Sequence, residues 1–93
     1  MREVRYTARF KRDYRREKSG RHSKRLGALL VEVVNLLAAD QPLPRCNVDH
    51  PLDGEWKDFR DCHIRPDLIL ICRKTGDNGL ELVRLGSHSE LGF

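Results

Sequence analysis

Leu68-Ile69-Leu70-Ile71-Cys72 is apolar at every position, and no other stretch constrains the chain as much. A strand without polar alternation must be covered on both faces, so the run predicts a central strand of a sheet. Its flanks supply the neighbours. Residues 55–64 alternate, with Trp56, Asp58, Arg60, Cys62 and Ile64 on one face and Lys57, Phe59, Asp61 and His63 on the other. Arg65-Pro66-Asp67 reads as the turn between the two. On the far side, Thr75-Gly76-Asp77-Asn78-Gly79 is a hairpin loop, followed by a strand from Leu80 to Leu85. Connections this short dictate antiparallel pairing.

The first half has a different period. Residues 2–7 alternate as a short strand, and Thr7 is placed to cap a helix in which Phe10 and Tyr14 share a face at i, i+4. Ser19-Gly20 stops that helix. Ser23 opens a second one, with Leu26, Leu29, Leu30, Val33, Leu36 and Leu37 as its apolar stripe. The short linker pairs the two as an αα-hairpin, and the prolines of Asp40-Gln41-Pro42-Leu43-Pro44 end the second helix. An irregular segment then runs through Asn47, Asp49-His50-Pro51 and Asp53-Gly54. The expected order is β-α-α-β-β-β: one α+β domain over residues 1–93, a helical hairpin packed on one face of a small, mainly antiparallel sheet. A chain of 93 residues buries only about 60–65% of its unfolded surface, so this core must be compact.

Charge is unevenly spread. Residues 1–25 carry eleven Lys and Arg against Glu3, Asp13 and Glu17, whereas residues 26–93 carry seven against eleven acids. The basic end suits an anionic partner, nucleic acid before membrane, and equally the solvated faces of two helices. Arg9, Arg12, Arg16, Arg21, Lys24 and Arg25 lie outside the apolar stripe, free for solvent or phosphate. With a mean hydropathy of −0.62, no apolar run approaches the ~20 residues of a membrane span. Met1 to Arg5 lacks the apolar stretch of a secretory signal. Cys46, Cys62 and Cys72 form an odd set with no C-x-x-C spacing, and Cys62 and Cys72 fall inside strands, as core thiols in a reducing cytoplasm would. The histidines lack metal-ligand spacing, so neither a metal nor another cofactor is expected.

The second half holds the residues suited to chemistry. Asp61 and His63 project from one strand face, a carboxylate able to orient an imidazole, with Asp67 just beyond the turn. His50 lies in the irregular segment and His88 after the last strand. Two imidazoles across a phosphodiester would serve as base and acid for attack by an RNA 2′-OH, with Arg84 neutralising charge on the phosphorane. Each residue also has a plain reading. A loop histidine is commonly a surface group, Asp61 near Lys57 an ordinary ion pair, Trp56 a core or rim anchor, and Phe93 a frayed end or a cap.

The arrangement Asp49-His50-Pro51-Leu52-x-Gly54-x-Trp56-Lys57-x-Phe59-Arg60-Asp61-x-His63-Ile64-x-Pro66-Asp67-Leu68-Ile69-Leu70-Ile71 resembles the YafQ-type toxins. These form part of the RelE-like branch of bacterial type II toxin–antitoxin systems. The resemblance continues through Arg84-x-Gly86-Ser87-His88-Ser89-x-Leu91 and takes in Tyr6-Thr7-x-x-Phe10-Lys11-x-Asp13 and Leu43-Pro44, so it spans most of the chain. The β-α-α-β-β-β order agrees with the fold of that family. One departure stands at the end. Members often close with a Leu-Phe pair whose Phe bears on activity, whereas here Gly92 separates Leu91 from Phe93.

The resemblance implies a metal-independent mRNA interferase of the bacterial cytoplasm, cutting mRNA in the A site of the 70S ribosome and so inhibiting translation. Attack by the 2′-OH leaves a 2′,3′-cyclic phosphate and a 5′-OH. By position, His50, His63, Asp67 and His88 match the catalytic constellation and Asp61 its supporting carboxylate. His88 matches the general acid, Arg84 a phosphate-facing cation, and either His50 or His63 the base. Trp56 and Phe93 are the candidates for stacking on substrate, and the basic helices would meet ribosomal RNA. The implied partner is a small acidic antitoxin whose DNA-binding domain would bring the pair to operator DNA. Two alternatives remain: a non-catalytic, ParE-like inhibitor of a protein such as gyrase, and a basic RNA- or ribosome-binding module.

Overall fold

The computed structural model describes residues 1–20, 24–43, 49–51, 59–76 and 78–91, and at 49–51 the backbone only. The chain runs β1 (Glu3–Tyr6), α1 (Ala8–Lys18), α2 (Leu26–Ala38), β2 (Asp49–Pro51), β3 (Arg60–Arg65), β4 (Leu68–Thr75), β5 (Gly79–Gly86) and α3 (His88–Leu91). The strands form one sheet in the order β1-β5-β4-β3-β2. β1 lies parallel to β5, and every other pair is antiparallel.

The expected α+β order is present with two additions, the three-residue β2 and the one-turn α3. β4 extends past the apolar run to Thr75, because Arg73, Lys74 and Thr75 keep their ladder partners Glu81, Leu80 and Gly79. At the tip Gly76 takes φ +52, a left-handed conformation that glycine adopts without steric penalty. The strand expected over 55–64 is described from Arg60 onward; residues 55–58 lie outside the described residues.

Local signals explain the first helix. The Phe10 N–H donates to Thr7 Oγ1 at 3.1 Å, and the Thr7 hydroxyl lies 3.1 and 3.0 Å from the carbonyls of Leu82 and Val83. One side chain thus caps α1 and ties it to β5. Ser19 ends the helix as its C-cap. Phe10 and Tyr14 stack with ring centroids 6.1 Å apart, as their spacing requires. The second helix begins later than expected. It starts at Leu26, and Arg25 before it sits at φ 62; Ser23 is outside the described residues.

α2 sends Leu26, Leu30, Val33, Val34, Leu37 and Ala38 into the core, where they meet Phe10 of α1. The sheet contributes Cys62, Ile64, Leu68, Leu70, Cys72, Leu80, Leu82 and Leu85 to the same cluster. Cys62 and Cys72 are buried free thiols, as their strand positions predict. Ile69 and Ile71 have no exposed surface yet stand apart from this cluster, on the other face of β4. The central strand is therefore covered on both sides, which is what its unbroken apolar run demanded. No helix among the described residues is long and apolar enough to cross a membrane.

Candidate active site

The register gathers the candidate residues on the sheet face opposite the core that α1 and α2 cover. Asp61 lies opposite Ile71, and Ile71 opposite Arg84, while His50 on β2 is the register partner of Asp61. The neighbouring row runs His63, Ile69 and Gly86. Asp61 and His63 alternate with the buried Cys62 and Ile64, so they share the opposite face, flanking the apolar floor of Ile69 and Ile71. Antiparallel pairing thus brings into two adjacent rows residues that lie up to 36 positions apart in the chain.

The turn after β3 and the helix after β5 complete the group. His88 Nδ1 is 3.3 Å from Asp67 Oδ1, with both side chains about half exposed. The rings of His63 and His88 face one another with centroids 5.6 Å apart and planes inclined by 40°. A carboxylate beside Nδ1 orients the imidazole and leaves Nε2 for proton transfer. Two imidazoles at this separation can serve opposite ends of one phosphodiester. Among the described residues, no cluster of three His, Cys, Asp or Glu side chains is arranged to hold a metal ion.

A second polar group lies where α1 crosses the edge of β5. β1 stops at Tyr6, and beyond it Leu85 has no strand partner on that side. Asp13 and Arg16 supply one. The Leu85 N–H donates to Asp13 Oδ2 at 3.1 Å, and Arg16 Nη2 donates to the Leu85 carbonyl at 2.9 Å. Asp13 also accepts from Arg84 Nε at 2.6 Å and from Arg16 Nη1 at 3.0 Å. Burial pushes the Asp13 pKa up, but hydrogen bonds from Arg84 and the Leu85 N–H, with the charges of Arg84 and Arg16, outweigh it. The carboxyl is held below its ordinary value.

This geometry corrects the expectation that Arg16 stays free for phosphate. Its Nε lies 2.9 Å from Glu17 and 3.0 Å from Glu90, in addition to the bonds just described. Arg84 places its guanidinium on Asp13. Arg9 and Arg12 remain exposed, and with Asp13, Arg16 and Arg84 they line a basin of about 250 Å³.

α3 escaped the sequence reading, although Ser87-His88-Ser89-Glu90 carries its signal. The Ser87 N–H donates to Glu90 Oε1 at 2.9 Å, and the Glu90 N–H to Ser87 Oγ at 3.2 Å. This reciprocal pair is a capping box.

The sequence profile of the bacterial toxin of type II toxin–antitoxin systems, YafQ, matches residues 2–92. The chain belongs to the YafQ toxin family. It is 35% identical to the mRNA interferase toxin YafQ of Escherichia coli K12 over 92 residues, 98% of this chain and 96% of that protein. A metal-bound toxin from Helicobacter pylori is similar in structure, with a TM-score of 0.88, 41% identity, and coverage of 98% of this chain and 99% of that one. YafQ in the E. coli DinJ–YafQ complex gives a TM-score of 0.82 at 33% identity, covering 98% of each chain.

Of the positions matched to the YafQ pattern, Asp61, His63, Asp67 and His88 stand on one side of the sheet, and Arg84 beside them turns to α1. His50 is placed by its backbone register alone. Trp56, Phe93 and Arg21 lie outside the described residues. Lys24 and Arg25 are exposed before α2, and the Lys24 carbonyl accepts a hydrogen bond from Arg65.

Proposed function

We propose that this YafQ-family chain is an mRNA interferase that cuts mRNA in the ribosomal A site by acid–base chemistry through the RNA 2′-OH. The convergence of His63, Asp67 and His88 carries this reading. His63 or His50 takes the proton from the 2′-OH, and the oxygen attacks the adjacent phosphorus. The bond from phosphorus to the 5′-oxygen breaks, and His88 gives that oxygen a proton. The products are a 2′,3′-cyclic phosphate and a 5′-OH, so atoms and charge balance without a further reactant. Asp67 holds His88 through Nδ1, and Asp61 supports the neighbouring row. Two such proton transfers contribute roughly 10²- to 10⁴-fold each.

The partner follows from the family. The E. coli relative is seen in complex with DinJ, and this basic chain is proposed to pair with a cognate acidic antitoxin. Operator DNA would be reached through that antitoxin. The test is primer extension on a defined mRNA in a purified bacterial translation system. Cuts at codon positions, present with ribosomes and absent on naked mRNA, are expected. Growth arrest on expression without any cut would instead point to a protein target.

Arg9 and Arg12 are the cations proposed to meet ribosomal RNA, since both are exposed and line one basin with Asp13, Arg16 and Arg84. Replacing both by alanine is expected to flatten the slope of log affinity against log salt by about 1.5 to 2, roughly one counterion per lost phosphate contact. Ribosome co-sedimentation across a potassium chloride series measures that slope. An unchanged slope would exclude these two residues from the contact.

A further inference from the structure

His88 is about half exposed and sits on a helix of a single turn, far too short to hold its own shape in water. Its ring nevertheless lies in register with Asp67 and His63. The capping box locks the backbone on either side of it, since Ser87 and Glu90 bond each other across His88 and Ser89. Glu90 in turn is anchored from outside the turn. Its Oε2 lies 3.0 Å from Arg16 Nε, and Arg16 is itself fixed to Asp13, Glu17 and the Leu85 carbonyl. The approach is tight at Gly86, where an added side chain would ask the end of Arg16 to give by a few tenths of an ångström. A Cβ on Gly86 would stand 3.0 Å from Arg16 Nη2 and 3.4 Å from both Cβ and Oε1 of Glu90.

We propose that Glu90, anchored by Arg16, is the positioning residue that fixes His88 against Asp67 and His63. The chain of contacts is continuous: α1 holds Arg16, Arg16 holds Glu90, and Glu90 closes the turn that carries His88. The catalytic half of this inference rests on the reading of His88 as proton donor, whereas the positional half does not.

Two measurements keep those halves apart. The first is the nuclear Overhauser cross-peak between the rings of His63 and His88 in the isotope-labelled chain. It should vanish in Glu90→Ala and weaken in Glu90→Gln, whose amide oxygen still accepts from the Ser87 N–H but whose NH2 cannot pair with Arg16. The second is single-turnover cleavage on programmed ribosomes. Glu90→Ala is expected to lose on the order of 10-fold in rate, as a misplaced reacting group does. Glu90→Gln should fall between Glu90→Ala and the parent, since it retains that capping bond but not the ion pair with Arg16.

In a His88→Ala background, Glu90→Ala should change nothing further, because the group it positions is gone. A cross-peak unchanged in Glu90→Ala would overturn the positioning role. So would an equal loss of rate in both backgrounds. His88→Ala cleaving at the parental rate would overturn the donor reading alone, with the cross-peak still deciding the positioning.

Discussion

Replacing His88 by alanine is expected to lower ribosome-dependent cleavage by about 10²- to 10³-fold, the loss that follows when a general acid is removed from a poor leaving group. The 5′-oxygen of a nucleotide leaves badly as an alkoxide, so proton donation is needed as the bond breaks. His88 suits this task, with Nδ1 turned to Asp67 and its ring against His63. Stability should hardly change. The side chain is about half exposed on the last turn, and substitutions at such places stay within roughly 0.5 kcal/mol. A variant that melts with the parent yet no longer cuts would therefore separate chemistry from folding. Asp67→Asn should fall between the two, because an amide can still meet Nδ1 but holds the ring less firmly than a carboxylate does. Parental cleavage by His88→Ala would remove His88 as the proton donor and leave the cut to another group, whereas growth arrest with no cut from the parent would favour an inhibitory contact with a protein.

The second large effect is on stability. Asp13→Ala is expected to destabilise the chain by about 3 kcal/mol, the lower end for removing one partner of a buried ion pair. Asp13 is 4% exposed. Its loss strands the Arg84 guanidinium and leaves the Leu85 N–H without an acceptor at a position where β1 no longer reaches. In a domain of this size that corresponds to a fall in Tm of roughly 12–24 °C. Asp13→Asn should recover part of it, because its amide oxygen can still accept from Leu85.

The pH dependence has a definite sign. In the folded chain the Asp13 carboxyl is held below its ordinary value by Arg84, the Leu85 N–H and Arg16, against the opposing push of burial. Its contribution is therefore complete above the unfolded pKa near 4 and is lost as pH falls through the folded value. The gap in Tm between the parent and Asp13→Asn should be constant near neutrality and close on acidification below about pH 4. A gap that widened in acid would contradict the assignment.

What the sequence revealed divides along a physical line. Thr7, Ser19, the apolar stripe of α2, the unbroken run of β4 and the loop around Gly76 act within a few residues, and each was readable without a partner. The face shared by Asp61 and His63 was readable too, since a strand has period two. The meeting of His88 with Asp67 and His63 depends on the pairing of β3, β4 and β5; the residues could be named as candidates from the sequence, but only the family resemblance matched them to one constellation. Arg16 shows the opposite failure. Counted among its neighbours on a basic helix it resembles a phosphate ligand, and nothing local reveals that Leu85, 69 positions away, takes its guanidinium. The parallel seating of β1 on β5 is likewise a long-range pairing. β2 was too short to show a period.

The sheet is longest in the middle and shortest at its margins. β4 and β5 have eight residues each, while the outer strands β1 and β2 have four and three. One margin places Pro51, which has no N–H to offer, opposite Arg60, and the other exposes Glu3 and Arg5. Where β5 outruns β1, a carboxylate and a guanidinium occupy the Leu85 backbone groups that a foreign strand would need. A chain built this way offers its own copies little template for strand-by-strand growth into aggregates. The side chains that seal that flank are Asp13 and Arg16, so the residues that steady the fold also keep the open end of β5 from recruiting another molecule.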